Sequence, residues 1–122
     1  MDVTFRIGTL DLHSVLSTYN VRREVSYQDT ITTLDNVEHV FPNPPRTIIE
    51  FELFPLTDLT ATELYDNLSE LIVSVTFSDP YSNAVISGKT MYVNSDFEAE
   101  FGLRSIDGNR YYKGGSIELR AV

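Results

Sequence analysis

Four carboxylates are spaced for joint work. Glu50 and Glu52, and again Glu98 and Glu100, stand two residues apart, and on a strand each such pair projects from one face. Paired carboxylates can hold a divalent cation or divide acid and base roles between them. A solvated strand face has the same spacing, and these four residues are read here as a candidate acidic face. The two histidines, His13 and His39, sit in unrelated neighbourhoods with no ligand spacing between them, the pattern of surface histidines rather than of a metal site or a general base. Lys113-Gly114-Gly115-Ser116 falls between strand residues instead of ahead of a helix, so it does not form a phosphate-cradling loop. No serine has a histidine partner in a nucleophile setting. With no cysteine, disulfides, thiolate metal sites and cysteine nucleophiles are all excluded. The expectation is a non-enzymatic protein with no catalytic residues, no metal and no cofactor.

Charge says more than any single residue. The chain of 122 residues carries a net charge of −9, and the excess is concentrated in its middle. From Gln28 to Glu100 there are thirteen acids and two bases, whereas Met1–Tyr27 has three of each and Phe101–Val122 has two acids against four bases. Binding to a phosphate backbone relies on clustered Lys and Arg, so sequence-specific nucleic-acid binding is not expected. No apolar run approaches the ~18 residues that would span a bilayer, and the N-terminus lacks a signal-peptide pattern. Neither a membrane partner nor export by a classical signal is expected.

The elements follow from periodicity. Val3, Phe5 and Ile7 alternate with polar residues, and so do Tyr19, Val21, Val25 and Tyr27, with Arg23 interrupting the apolar face. Strands are likewise expected at Thr47–Phe54, Val73–Phe77, Thr90–Val93, Phe97–Arg104 and Ile117–Ala121. The last two are expected to form a hairpin through Asp107-Gly108-Asn109. Thr60-Ala61-Thr62-Glu63 reads as a capping box with Leu59 and Leu64 as a hydrophobic staple. Leu64, Tyr65, Leu68, Leu71 and Ile72 then repeat at helical spacing, predicting a helix over about 60–72. The expected fold is mainly β with some α: an antiparallel sandwich or barrel of six to seven strands with one flanking helix, in a single domain over 1–122.

Residues 28–45 fit neither pattern and read as an extended loop or arm ending in Phe41-Pro42-Asn43-Pro44-Pro45. Ile31, Leu34, Val37, Val40 and Phe41 recur through it. So many large apolar groups are unusual in a disordered segment, and they must be buried on the domain itself or on a neighbouring subunit.

These segments together carry a resemblance. The Val25-Ser26-Tyr27 strand end, the Thr33-Leu34-Asp35-Asn36 loop, the Ile48–Phe54 strand closing on Pro55-Leu56-Thr57, the capped helix, Val73–Pro80 and Gly88-Lys89-Thr90-Met91-Tyr92 resemble small structural proteins of tailed bacteriophages and prophages. Asn36 stands where that pattern has Gly, and Phe77 where it often has Tyr; Asn also tolerates a left-handed turn. The resemblance implies a virion component at or near the tail, a homo-oligomeric ring, and other tail or connector proteins as partners. Two other readings use the same residues. One is an acidic mimic of nucleic acid, an inhibitor that occupies a basic groove. The other is a carbohydrate-binding β-sandwich using Tyr81, Asn83, Tyr92, Asn94, Tyr111 and Tyr112.

Overall fold

The computed structural model describes residues 3–32, 34, 36–96, 100–104, 110–113 and 115–122, with side chains left aside at 28–32, 58, 100–104, 110 and 113. Its core element is an antiparallel sheet of seven strands, as period-two patterning predicts. In chain order the elements are β1 (Phe5–Ile7), β2 (Leu10–Asp11), a 3-10 turn (His13–Val15), β3 (Leu16–Glu24), β4 (Tyr27–Thr32), β5 (Glu38–Pro42), β6 (Arg46–Leu53), β7 (Leu56–Thr57), α1 (Asp58–Ser69), β8 (Ile72–Asp79), β9 (Ala84–Val93), β10 (Glu100–Arg104), β11 (Arg110–Lys113) and β12 (Ile117–Ala121). The large sheet runs β2-β1-β8-β9-β12-β6-β3 and curls into a half-barrel. Curling brings its edges together: Tyr19 on β3 lies 5.6 Å, centroid to centroid, from Phe5 on β1, and Phe5 lies 4.7 Å from Phe51 on β6.

The inner face holds one continuous core. Phe5, Ile7, Val21, Ile49, Phe51, Val73, Val75, Phe77, Met91 and Leu119 are buried there, and Ala61, Leu64 and Leu68 of α1 close over them. One backbone device keeps β9 in phase. Val75 pairs with Lys89 and Phe77 with Ile86, so β9 carries one extra residue against β8. That bulge puts Ile86 and Met91 on the same face although five positions separate them, and Gly88 supplies its φ of 66°.

Several expectations change. The helix begins at Asp58, not Thr60, with Thr57 at its N-cap and no side-chain cap hydrogen bond, so the capping box does not form. Leu59 is exposed and staples nothing. The helix ends at Ser69 because Leu71 takes φ 67° and reverses the chain into β8. Leu71 and Ile72 therefore face solvent, and the helix packs through Ala61, Leu64 and Leu68 instead. The expected final hairpin is also different. β10 pairs with β11, which pairs with β7 in a separate three-stranded sheet, while β12 crosses into the large sheet between β9 and β6. The signal for β11 was the adjacent Tyr111 and Tyr112, aromatic residues favoured in strands. Residues 97–99 and the Asp107-Gly108-Asn109 turn lie outside the described residues.

Candidate functional site

Within residues 28–45 the described chain forms two paired strands. β3 and β6 pair from Leu16 opposite Leu53 to Glu24 opposite Arg46, and the two chains then pair again as β4 and β5, from Tyr27 opposite Pro42 to Thr32 opposite Glu38. The interruption has a chemical cause. Pro42, Pro44 and Pro45 have no N–H to donate to a ladder. A neck survives there, where the Asn43 amide donates to the Ser26 carbonyl at 2.9 Å and Asn43 Nδ2 donates to Ser26 Oγ at 3.1 Å. Asn36 turns the far end with φ 66°.

The resulting ribbon forms a two-stranded sheet of its own that pairs with neither other sheet. Its described apolar side chains stay outside the core. Leu34 is fully exposed, and Val37, Val40 and Phe41 are each close to half exposed. The side chain of Ile31 lies outside the described residues. Val25 and Tyr27, which the alternation assigned to an inward face, are exposed as well, because β3 ends at Glu24 and the chain leaves the sheet there. An isolated hairpin is marginal in water, and contiguous exposed apolar surface marks an interaction site. The ribbon meets the first criterion, and its exposed Leu34, Val37, Val40 and Phe41 are candidates for the second.

The candidate acidic face resolves into a charge ladder. On the outer face Arg22 Nε donates to Glu50 at 2.9 Å and Arg22 Nη2 to Glu118 at 2.7 Å. Arg120 bonds Glu24 at 3.0 Å and Glu118 at 3.4 Å, and Asn94 donates to Glu118. Glu52 is exposed one step along β6, Glu98 lies outside the described residues, and so does the side chain of Glu100. The structure thus joins Glu50 to Glu24 and Glu118, which the spacing did not single out, and to two arginines that came from other strands. Ile48 is wholly buried on this face, flanked in register by Arg22 and Arg120, whose aliphatic stems can cover it.

A second polar cluster spans the seam of the half-barrel. Asp79, 2% exposed, accepts from the Tyr81 amide at 3.1 Å, the Ser82 hydroxyl at 3.0 Å and Arg23 Nη2 at 3.1 Å. Burial pushes its carboxyl up, but these three donors outweigh burial and hold it below the usual carboxylate range. Arg23 also lies 5.0 Å from the centre of the Tyr81 ring, and Tyr19 donates to the Ser78 carbonyl at 2.6 Å. A cleft of about 470 Å³ opens beside them, walled by Val3, Val21, Pro80 and Val85. Arg23, the break in the apolar face of β3, was the sequence signal for this cluster.

The histidines stay apart. His13 pairs with Asp11 at 2.8 Å, while His39 lies exposed on the ribbon. Among the described residues, no group of three His, Cys, Asp or Glu gathers to hold a metal, and no helix is long and apolar enough to cross a membrane. The turn and strand tyrosines are divided among the β8–β9 turn, β9 and β11. Comparison with protein-family models, with curated proteins and with solved structures returns no match.

Proposed function

We propose that this chain is a non-enzymatic structural protein of a tailed-bacteriophage or prophage virion, assembling in or next to the tail as a tube, terminator, connector or baseplate component. The working surface is the β4–β5 ribbon, which docks on a neighbouring copy in a ring and brings the chain into contact with other tail or connector proteins. One observation carries the assembly part: the ribbon's Leu34, Val37, Val40 and Phe41 are exposed and the ribbon pairs with neither of the other sheets. Each large apolar side chain buried contributes about 1.5–3 kcal/mol, so several together can offset the ordering of the ribbon. The sequence resemblance described above supports the phage part.

The mimic reading needs carboxylates displayed free on one face. Glu24, Glu50 and Glu118 are instead committed to Arg22 and Arg120, which favours assembly over mimicry. The test is mass in solution combined with electron microscopy. The native chain should form a ring. Leu34→Ser with Val37→Ser should leave circular dichroism unchanged while abolishing assembly. A doubly substituted chain that unfolds would assign the ribbon to the chain's own core, and one that assembles normally would refute ribbon docking.

A further inference from the structure

Between Gln28 and Glu100 the sequence has two basic residues, Arg46 and Lys89. The fold brings both to one cleft. It has a volume of about 510 Å³, sits at the root of the ribbon, and is lined by Asn43, Pro44, Pro45, Arg46, Lys89 and Val122 among others. Six Lys or Arg side chains are described, and four of them stand beside carboxylates. Arg6 faces Asp11 in register and helps hold its carboxyl down; Arg22 meets Glu50 and Glu118, Arg23 meets Asp79, and Arg120 meets Glu24 and Glu118. Arg46 and Lys89 are the other two, and neither forms a salt bridge among the described residues. Arg46 donates to the Tyr92 hydroxyl at 3.3 Å, and Glu24, its cross-strand neighbour, bonds Arg120. Both cations are exposed.

The ribbon has the opposite sign. From Tyr27 to Pro42 it contains Asp29, Asp35 and Glu38 and no Lys or Arg. A chain of net charge −9 repels its own copies, so an acidic ribbon docks most favourably where cations receive it. We infer that the cleft holding Arg46 and Lys89 receives the β4–β5 ribbon of a second copy, an inference that rests on the ribbon docking proposed above. Pro44, Pro45 and Val122 give the apolar walls, and the two cations supply the sign opposite to the ribbon's net charge. Donor and receiver are different surfaces of one chain, so the contact is head-to-tail. Such contacts close into rings when the rotation permits.

Charge exchange tests this, read by sedimentation velocity with circular dichroism to confirm folding. Arg46→Gln with Lys89→Glu should weaken self-association by about tenfold or more, and Asp35→Lys with Glu38→Lys should do the same. Combining the four substitutions should restore it. Wild-type association should also weaken as salt rises from about 0.05 to 0.5 M. If the first variant lowers the melting temperature, Lys89→Glu alone, outside the outer-face ladder, reads the same site. A cleft variant that assembles like wild type, or association that tightens with salt, overturns the assignment of the cleft. If Leu34→Ser/Val37→Ser is monomeric in the same series, ribbon docking survives and its receiver lies elsewhere. A wild-type chain that stays monomeric throughout overturns both.

Discussion

Asp79 is the residue where sequence and structure inform each other most. Asp79-Pro80 reads as a turn because proline restricts the residue before it, and Arg23 reads as a flaw in an apolar strand face. Neither reading contains the other, since the pair is 56 positions apart. Only the curl of the sheet brings them together, and curl is not written in any local pattern. Asp79→Asn should cost about 1.5–3 kcal/mol, the range for hydrogen bonds to a charged group. The pH dependence has a definite sign. A carboxyl whose folded pKa lies below its unfolded value, about 3.9 for Asp, adds stability that is complete above the unfolded pKa and is lost as pH falls through the folded one. Glu118, held down chiefly by Asn94 and by Arg22 and Arg120 against burial, and Asp11, held down by His13, act in the same direction. The melting temperature should therefore fall below about pH 4, and less steeply in Asp79→Asn. Parallel curves for the two proteins would remove Asp79 from the acid response.

Strands were legible as elements because alternation survives in β1, β3, β6, β8 and β12. Their ends were not. Val25 and Tyr27 continue the alternation of β3 and yet lie outside the sheet, because the prolines opposite them at 42, 44 and 45 end the ladder. The helix shows the same limit at its C-terminus. Leu64, Leu68, Leu71 and Ile72 fit one helical stripe, but Leu71 adopts φ 67° and its carbonyl accepts from the Val93 amide at 2.8 Å, which fixes the start of β8 and ends the helix at Ser69. Helical spacing cannot report a left-handed leucine. Two substitutions separate these roles in one melting experiment. Leu68→Ala, at a fully buried site, should cost about 2–5 kcal/mol. Leu71→Gly should leave stability unchanged or raise it by up to about 1 kcal/mol, since it relieves a left-handed side chain at a position 56% exposed. A loss at Leu71 as large as that at Leu68 would return Leu71 to the core.

At the scale of the whole molecule, the body and the ribbon are separable by their bonding. Among the described residues, the core of the half-barrel takes no side chain from 27 to 42, and the ribbon is tied to the body by the Ser26–Asn43 neck. The sequence marked out the segment, through its five spaced apolar residues and its prolines, as one to be buried either on the domain itself or on a neighbouring subunit. It did not show that the segment is paired, because Pro42 and the offset between Tyr27 and Thr30 break the strand pattern. If the ribbon exists for contacts between copies, removing it should cost the monomer little. Replacing residues 27–42 by Asn-Gly, which closes a tight hairpin, should join Ser26 to Asn43 and leave the body with a melting temperature within a few degrees of the native monomer's. The shortened chain should sediment as a monomer at every concentration, and at equal concentration it should not enter rings formed by the intact chain. A shortened chain that fails to fold would mean that the ribbon stabilises β3 and β6 from beyond their ends; one that folds and still forms rings would place the contact between copies on the body, with the exposed β3 edge the first surface to examine.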